Sequence, residues 1–426
     1  MKLRGLEARE HVFRVPLDHA DPTLGERERF AREVRAPGAG ASDRPWLVFL
    51  QGGPGFESPR PLGTGGWIGR AVERYRVLLL DQRGTGRSTA QLGENVAQLE
   101  GEAQADHLAR FRADSIVRDL ERVRRELGVD RWTLLGQSFG GFCCVHYLSV
   151  APESLAGAML TGVLPALEGL ADDVYRLTYA AVERKNEALH RGFPGVGRFV
   201  REVFERVAEG DGELPSGDAL TLERLQCLGL QRGVSTGAAQ IHYLFERAFI
   251  PGTRSLTRAF LRGLESNFPF DTNPLYAVLH EACYAQGAPT RWAAARIRAD
   301  FRRFGARAAL EAGDVPYFTG EMVYPWFFDQ CSALRPLRAA ADALAAKDDW
   351  PDLYRPEVLA ANEVPVAAVV YHDDMFVPTE TSLDTARRIR GLVPWVTNEF
   401  EHDGLRSEGS RVFDRLSEDL RLSRPR

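Results

Sequence analysis

The chain has 426 residues, of which 44% are hydrophobic and 27% charged, a balance that excludes a disordered chain. A formal net charge of −5 leaves no basic field for nucleic acid, and no run of roughly eighteen apolar residues offers a membrane span. The first residues, MKLRGLEAREHVFRV, lack the apolar run of a signal peptide, so a cytoplasmic enzyme is expected.

In chain order, residues 11–17 (HVFRVPL) and 28–36 (ERFAREVRA) read as strands joined by the loop DHADPTLGE. PWLVFL (45–50) and RVLLL (76–80) are continuous apolar runs ended by QGGPG and DQRGTGRS, as in strands buried on both faces. Apolar residues at Leu108, Phe111, Ile116, Val117, Leu120, Val123 and Leu127 predict one helix over about 106–127, stopped by Gly128. WTLLG (132–136) is the next strand, a helix follows through FCCVHYLSVAP, and LAGAMLTG (155–162) is a further strand. This rhythm argues for an α/β fold with a doubly wound, mostly parallel sheet.

From about 165 to 355 the pattern turns to charged, alanine-rich helical segments with no strand alternation. VPVAAVV (364–370) restores the strand pattern, followed by a helix through LDTARRIRG and a strand at PWVTNEF. The expected organisation is an α/β core in two parts, 1–164 and 356–426, interrupted by a helical cap at 165–355. Five cysteines, with Cys143 and Cys144 adjacent and no C-x-x-C, argue against a disulfide framework or a thiolate zinc site. Cys143 and Cys144 read as buried small hydrophobes.

Gly136-Gln137-Ser138-Phe139-Gly140 is a G-x-S-x-G, a weak signal alone. Its place directly after an apolar strand and before a helix is what a nucleophile elbow requires. Small residues two before and two after Ser138 let backbone approach closely, and the Phe139 N–H at the helix start would face a forming oxyanion. A serine hydroxyl needs a base, and the base an orienting carboxylate, in the chain order Ser, Asp or Glu, His. After the helical middle only His372 and His402 remain, and His372 precedes the candidate acids, so His402 in the loop EHDG is the expected base. Asp373 and Asp374 both follow the strand, and spacing does not choose between them. A second oxyanion donor is expected from Gln51-Gly52-Gly53-Pro54-Gly55. DQRGTGRS lacks the spacing of a phosphate loop; Asp81 and Arg83 read as ion-pair residues beside the site.

QGGPG, DQRGTGRS and GQSFGG together resemble the prolyl aminopeptidases (proline iminopeptidases) of the α/β-hydrolase fold, in their longer bacterial branch, over essentially the whole chain. One departure is Gln51, where the family usually carries histidine. The resemblance implies Asp374 as the acid, four residues before Pro378, and Gly53 as the second oxyanion donor with Gly52 beside it. It also implies cap glutamates that hold the substrate's free amine, for which Glu281 and Glu321 are the candidates. Two enclosed carboxylates would select a cationic N-terminus and exclude longer N-terminal extensions. Phe139 is expected to touch the proline ring. The aromatic run from Tyr317 to Phe328 would either line the pocket or pack the cap. The implied activity is release of N-terminal proline from peptides by a serine mechanism, with no metal or organic cofactor. The alternative is a broader aminopeptidase or an esterase on the same scaffold.

Overall fold

The structure, a computed structural model, describes every residue except 39, 92–95, 97, 211, 269 and 424–426. Among the described residues, nine strands form one sheet in the order β1-β2-β3-β5-β4-β6-β7-β8-β9. Their ranges are β1 Lys2–Leu3, β2 Leu6–Pro16, β3 Glu26–Arg35, β4 Trp46–Leu50, β5 Arg76–Leu80, β6 Trp132–Gln137, β7 Leu155–Thr161, β8 Val366–Tyr371 and β9 Leu392–Thr397. From β5 to β9 every pairing is parallel, whereas β1, β2 and β3 add an antiparallel flank. All residues of β4, β6 and β8 are buried, which is why those segments are unbroken apolar runs.

Helices cover both faces of the sheet. Ala113–Glu126 and Phe139–Val150 close one face around Ile116, Leu120, Val145 and Leu148. Gly66–Ala71 and Gly409–Leu422 close the other around Trp67, Phe413 and Leu416. Between Thr161 and Val366 the described residues form helices and turns, with two isolated bridges (Glu213 to Ala219 and Phe249 to Leu256). This stretch has its own apolar centre, including Tyr179, Phe204, Phe245, Phe318 and Phe327.

The single helix expected over 106–127 is two, Gly101–Ala109 and Ala113–Glu126. The break lies at Arg112, which is extended (φ −79°, ψ 173°) and buried. Its guanidinium donates to the Ala285 carbonyl at 2.7 Å and the Pro351 carbonyl at 2.6 Å, contacts the local periodicity does not encode. The cysteines are all free and buried.

Asp81 and Arg83 are indeed ion-paired. Asp81 accepts from Arg60 at 2.7 Å, and Arg83 donates to buried Asp119 at 2.5 Å. Asp119 also receives Arg29 from β3 at 2.7 Å and lies 2.7 Å from His19 Nε2. One carboxylate thereby joins the β2–β3 hairpin, the loop after β5 and the helix Ala113–Glu126.

Candidate active site

The chain forms β4, crosses to β5 on one side, and then returns to β6 on the other side of β4. Such a reversal opens a crevice at the carboxyl ends of the strands. Gln51 and Gly52 follow β4, Ser138 follows β6, Asp374 follows β8 and His402 follows β9, so four loops converge on that rim.

Ser138 has φ 52° and ψ −124°, a conformation L residues rarely adopt. Its N–H donates to the Thr161 carbonyl of β7 at 2.9 Å, and its carbonyl accepts from Gly141 at 2.7 Å. Only glycine fits around this turn. A Cβ on Gly140 would lie 2.0 Å from the Leu50 carbonyl oxygen, and one on Gly52 would lie 2.9 Å from Ser138 Cβ. Phe139 begins the helix Phe139–Val150, so its N–H has no intrahelical acceptor. The Phe139 side chain, expected against the substrate ring, is instead turned into the core. It is 2% exposed and packs on Phe142 with ring centroids 6.1 Å apart. The helix must seat an apolar residue against the sheet at that position.

His402 Nδ1 lies 2.6 Å from Asp374 Oδ2, both buried. The other Asp374 oxygen accepts the N–H groups of Phe376 at 2.7 Å and Val377 at 3.1 Å, fixing the carboxylate. Asp373 is exposed and pairs with His372 at 3.1 Å. Geometry therefore separates two neighbours that spacing could not. Burial alone would push the His402 imidazole down. The charge of Asp374 and its hydrogen bond outweigh that, with Glu321 adding, and hold the imidazole above its ordinary value. Phe376 stands edge-on to the imidazole, centroids 4.9 Å apart.

A cavity of about 330 Å³ opens over these groups. Its wall includes Gly52, Gly53, Ser138 and His402 from the sheet side, and Tyr276 and Glu321 from the helical stretch. Glu321 accepts a hydrogen bond from the Tyr276 hydroxyl at 3.0 Å. Its backbone carbonyl lies 3.2 Å from His280 Nε2. Gly53 has φ 133°, and its peptide bond to Pro54 is cis. The Gln51 carbonyl accepts from Gln82 at 3.0 Å, which ties this turn to the loop after β5.

Glu281 does not join that wall. Its two oxygens accept the N–H groups of Ala293 at 3.1 Å and Ala294 at 2.9 Å, at the start of the short helix Ala293–Ile297. Burial pushes its carboxyl up to about 7, against the pull of those hydrogen bonds. The carboxylate is used up in holding the insertion together, which corrects the expectation of two glutamates in one pocket. The aromatic run after Tyr317 is also mostly packing: Phe318, Tyr324, Phe327 and Phe328 are buried in the insertion's core. The cavity's aromatic side chains are Phe56, Phe268, Phe270, Tyr276 and Phe376. None of these was singled out in the sequence, although Phe376 stands two residues after Asp374. Tyr276 and Arg406 also line the cavity, and no motif marked either.

Sheet order, connections and the sharp turn after β6 define an α/β hydrolase, and a family profile described as the alpha/beta hydrolase fold matches residues 45–211. The chain is 46% identical over 424 residues to a proline iminopeptidase of Aeromonas sobria, covering 99% of this chain and 98% of that one. It is 35% identical over 419 residues to a proline iminopeptidase of Aspergillus aculeatus, covering 96% and 92%. The chain belongs to the proline iminopeptidase family.

Proposed function

We propose that this chain is a serine aminopeptidase that removes proline from the free N-terminus of peptides. The observation that carries the reading is one cavity that holds an elbow serine, a carboxylate-bound histidine and an enclosed glutamate, in a chain whose full-length relatives are proline iminopeptidases. In this reading 165–355 is the cap, set between core halves 1–164 and 356–426, and its glutamate supplies the selection for an amine.

The proline ammonium sits against Glu321, since a cation taken out of water needs an anionic partner. Tyr276 holds that carboxylate in place. The Ser138 oxygen attacks the proline carbonyl carbon while His402 Nε2 takes the hydroxyl proton. Asp374 keeps the Nδ1–H tautomer and stabilises the imidazolium. The Phe139 and Gly53 N–H groups stabilise the oxyanion, with Gly52 clearing space beside Ser138. His402 then protonates the departing amine. A water molecule, deprotonated by the same histidine, attacks the acyl ester and releases proline. Five free cysteines fit a reducing compartment, so the same proposal assigns the enzyme to the cytoplasm.

The test compares proline arylamide, N-acetylproline arylamide and a simple aryl ester with the wild type and with Ser138→Ala. Expected is cleavage of the free-amine substrate at least about a hundredfold faster than the acetylated one, abolished in the variant. Equal cleavage of the acetylated substrate would reject amine recognition, and an active Ser138→Ala variant would reject the nucleophile.

A further inference from the structure

Two fixed charges line the cavity, the carboxylate of Glu321 and the guanidinium of Arg406. They enter from different parts of the chain. Glu321 belongs to the helical insertion, while Arg406 lies on the short helix Gly404–Ser407, four residues after His402. Arg406 is exposed at the wall, and among the described residues it forms no salt bridge, whereas Arg60, Arg83 and Arg112 are each paired with a carboxylate. Both charges reach the His402 imidazole, with opposite sign: Glu321 raises its proton affinity and Arg406 lowers it. Beyond its Asp374 partner, the imidazole thus lies within the fields of one cavity anion and one cavity cation.

A short peptide has the complementary pattern. In a dipeptide beginning with proline, the ammonium is adjacent to the scissile carbonyl on one side. The terminal carboxylate lies about one residue, roughly 3.5 Å, beyond the scissile bond on the other. A cavity of about 330 Å³ sits at the small end of ligand sites, about 300–1,000 Å³, and suits a few residues rather than a long segment. Guanidinium and carboxylate match as a bidentate pair.

Resting on the aminopeptidase reading above, we infer that Arg406 binds the free carboxylate of short substrates, making the enzyme selective for di- and tripeptides that carry both terminal charges. Arg406 is then a specificity residue on the leaving-group side, set against the Glu321 anchor on the amine side.

The test measures kcat/KM for Pro-Gly and for Pro-Gly-amide, which differ in the terminal charge. The readout is the acid-to-amide ratio compared between proteins, because the change in ratio cancels the different reactivity of the two leaving amines. Arg406→Gln is expected to lower the ratio about fivefold, the size of a partly exposed ion pair. Arg406→Glu lowers it further, and Arg406→Lys keeps part of it. The wild type needs no variant: raising ionic strength from about 0.02 M to about 0.5 M should lower its ratio, since the screening length shrinks below the reach of a rim contact. A ratio unchanged within twofold by Arg406→Gln, or insensitive to salt in the wild type, overturns the role of Arg406 while proline release continues. If neither compound yields proline, the aminopeptidase reading itself fails, and this inference with it.

Discussion

Asp373 and Asp374 share a loop and a side-chain type, yet only one is buried against His402. Asp374→Asn should cut kcat about 10⁴-fold, because an amide no longer holds the productive tautomer. Asp373→Asn should stay within about twofold, and steady-state kinetics on a proline arylamide separates the two. Glu321 has a double effect. Glu321→Gln should raise KM for free-amine substrates. It should also move the acidic limb of the kcat/KM profile to lower pH. In the proposed mechanism His402 acts when neutral; Glu321 stabilises its protonated form, so removing that charge lets the proton leave at lower pH. An unmoved limb would place Glu321 out of electrical reach of the base. Local context and chain order singled out Ser138 and His402 in the sequence, and the structure brings both to the wall of one cavity. Spacing left Asp373 and Asp374 open, only the family resemblance chose Asp374, and nothing local placed Glu281, because these placements depend on which backbone amides meet which carboxylate across the fold.

At the scale of elements, the parallel strands β4 to β8 were readable from apolar runs alone, since strands buried on both faces carry little polar alternation, whereas β9 is partly exposed. The β2–β3 hairpin is longer than its apolar pattern suggests. It is extended by cross-strand pairs such as Arg35 with Glu7 at 3.0 Å and Arg32 with Glu10 at 3.1 Å, which look polar in sequence. The break at Arg112 was not readable, because its cause lies in residues 285 and 351. The loop carrying His402 is held by the helical stretch between β7 and β8. The His402 N–H donates to the Gly233 carbonyl at 3.0 Å, Ser235 Oγ donates to Asp403 at 2.6 Å, and Lys185 pairs with Glu401 at 2.5 Å. Lys185→Met should leave Glu401 half-buried without its partner and loosen that loop. Expected is a three- to tenfold drop in kcat, about 1 kcal/mol, with KM changed less, and partial recovery in Lys185→Arg. A change confined to KM would assign Lys185 to substrate binding instead.

For the whole molecule, acid stability rests on buried or half-buried carboxylates held by partners from other segments. Burial would raise Glu33, but hydrogen bonds from His11 and Arg76, with their charges, bring it down to about 2. Glu121 is likewise brought down to about 2 by Arg124 and Tyr147. Their folded values lie below those of the unfolded chain. Their contribution is therefore fully present above about pH 4.5 and lost as pH falls toward 2. Urea midpoints should decline as pH falls from about 4.5 toward 2. Glu33→Gln should lose about 2 kcal/mol at pH 7 and show a shallower decline below pH 4.5; parallel curves would remove Glu33 from this account. The clasp between the insertion and the His402 loop also bears on how such enzymes diversify. A Cβ on Gly233 would sit 2.0 Å from the ring of Phe376, the residue flanking the imidazole. Under the proposed function, a chimera that borrows another relative's helical stretch would therefore change the substrate contacts and the setting of His402 together. Lineages that drift toward new peptides must change both sides of that seam in concert, or keep the seam and vary only the rest of the lid.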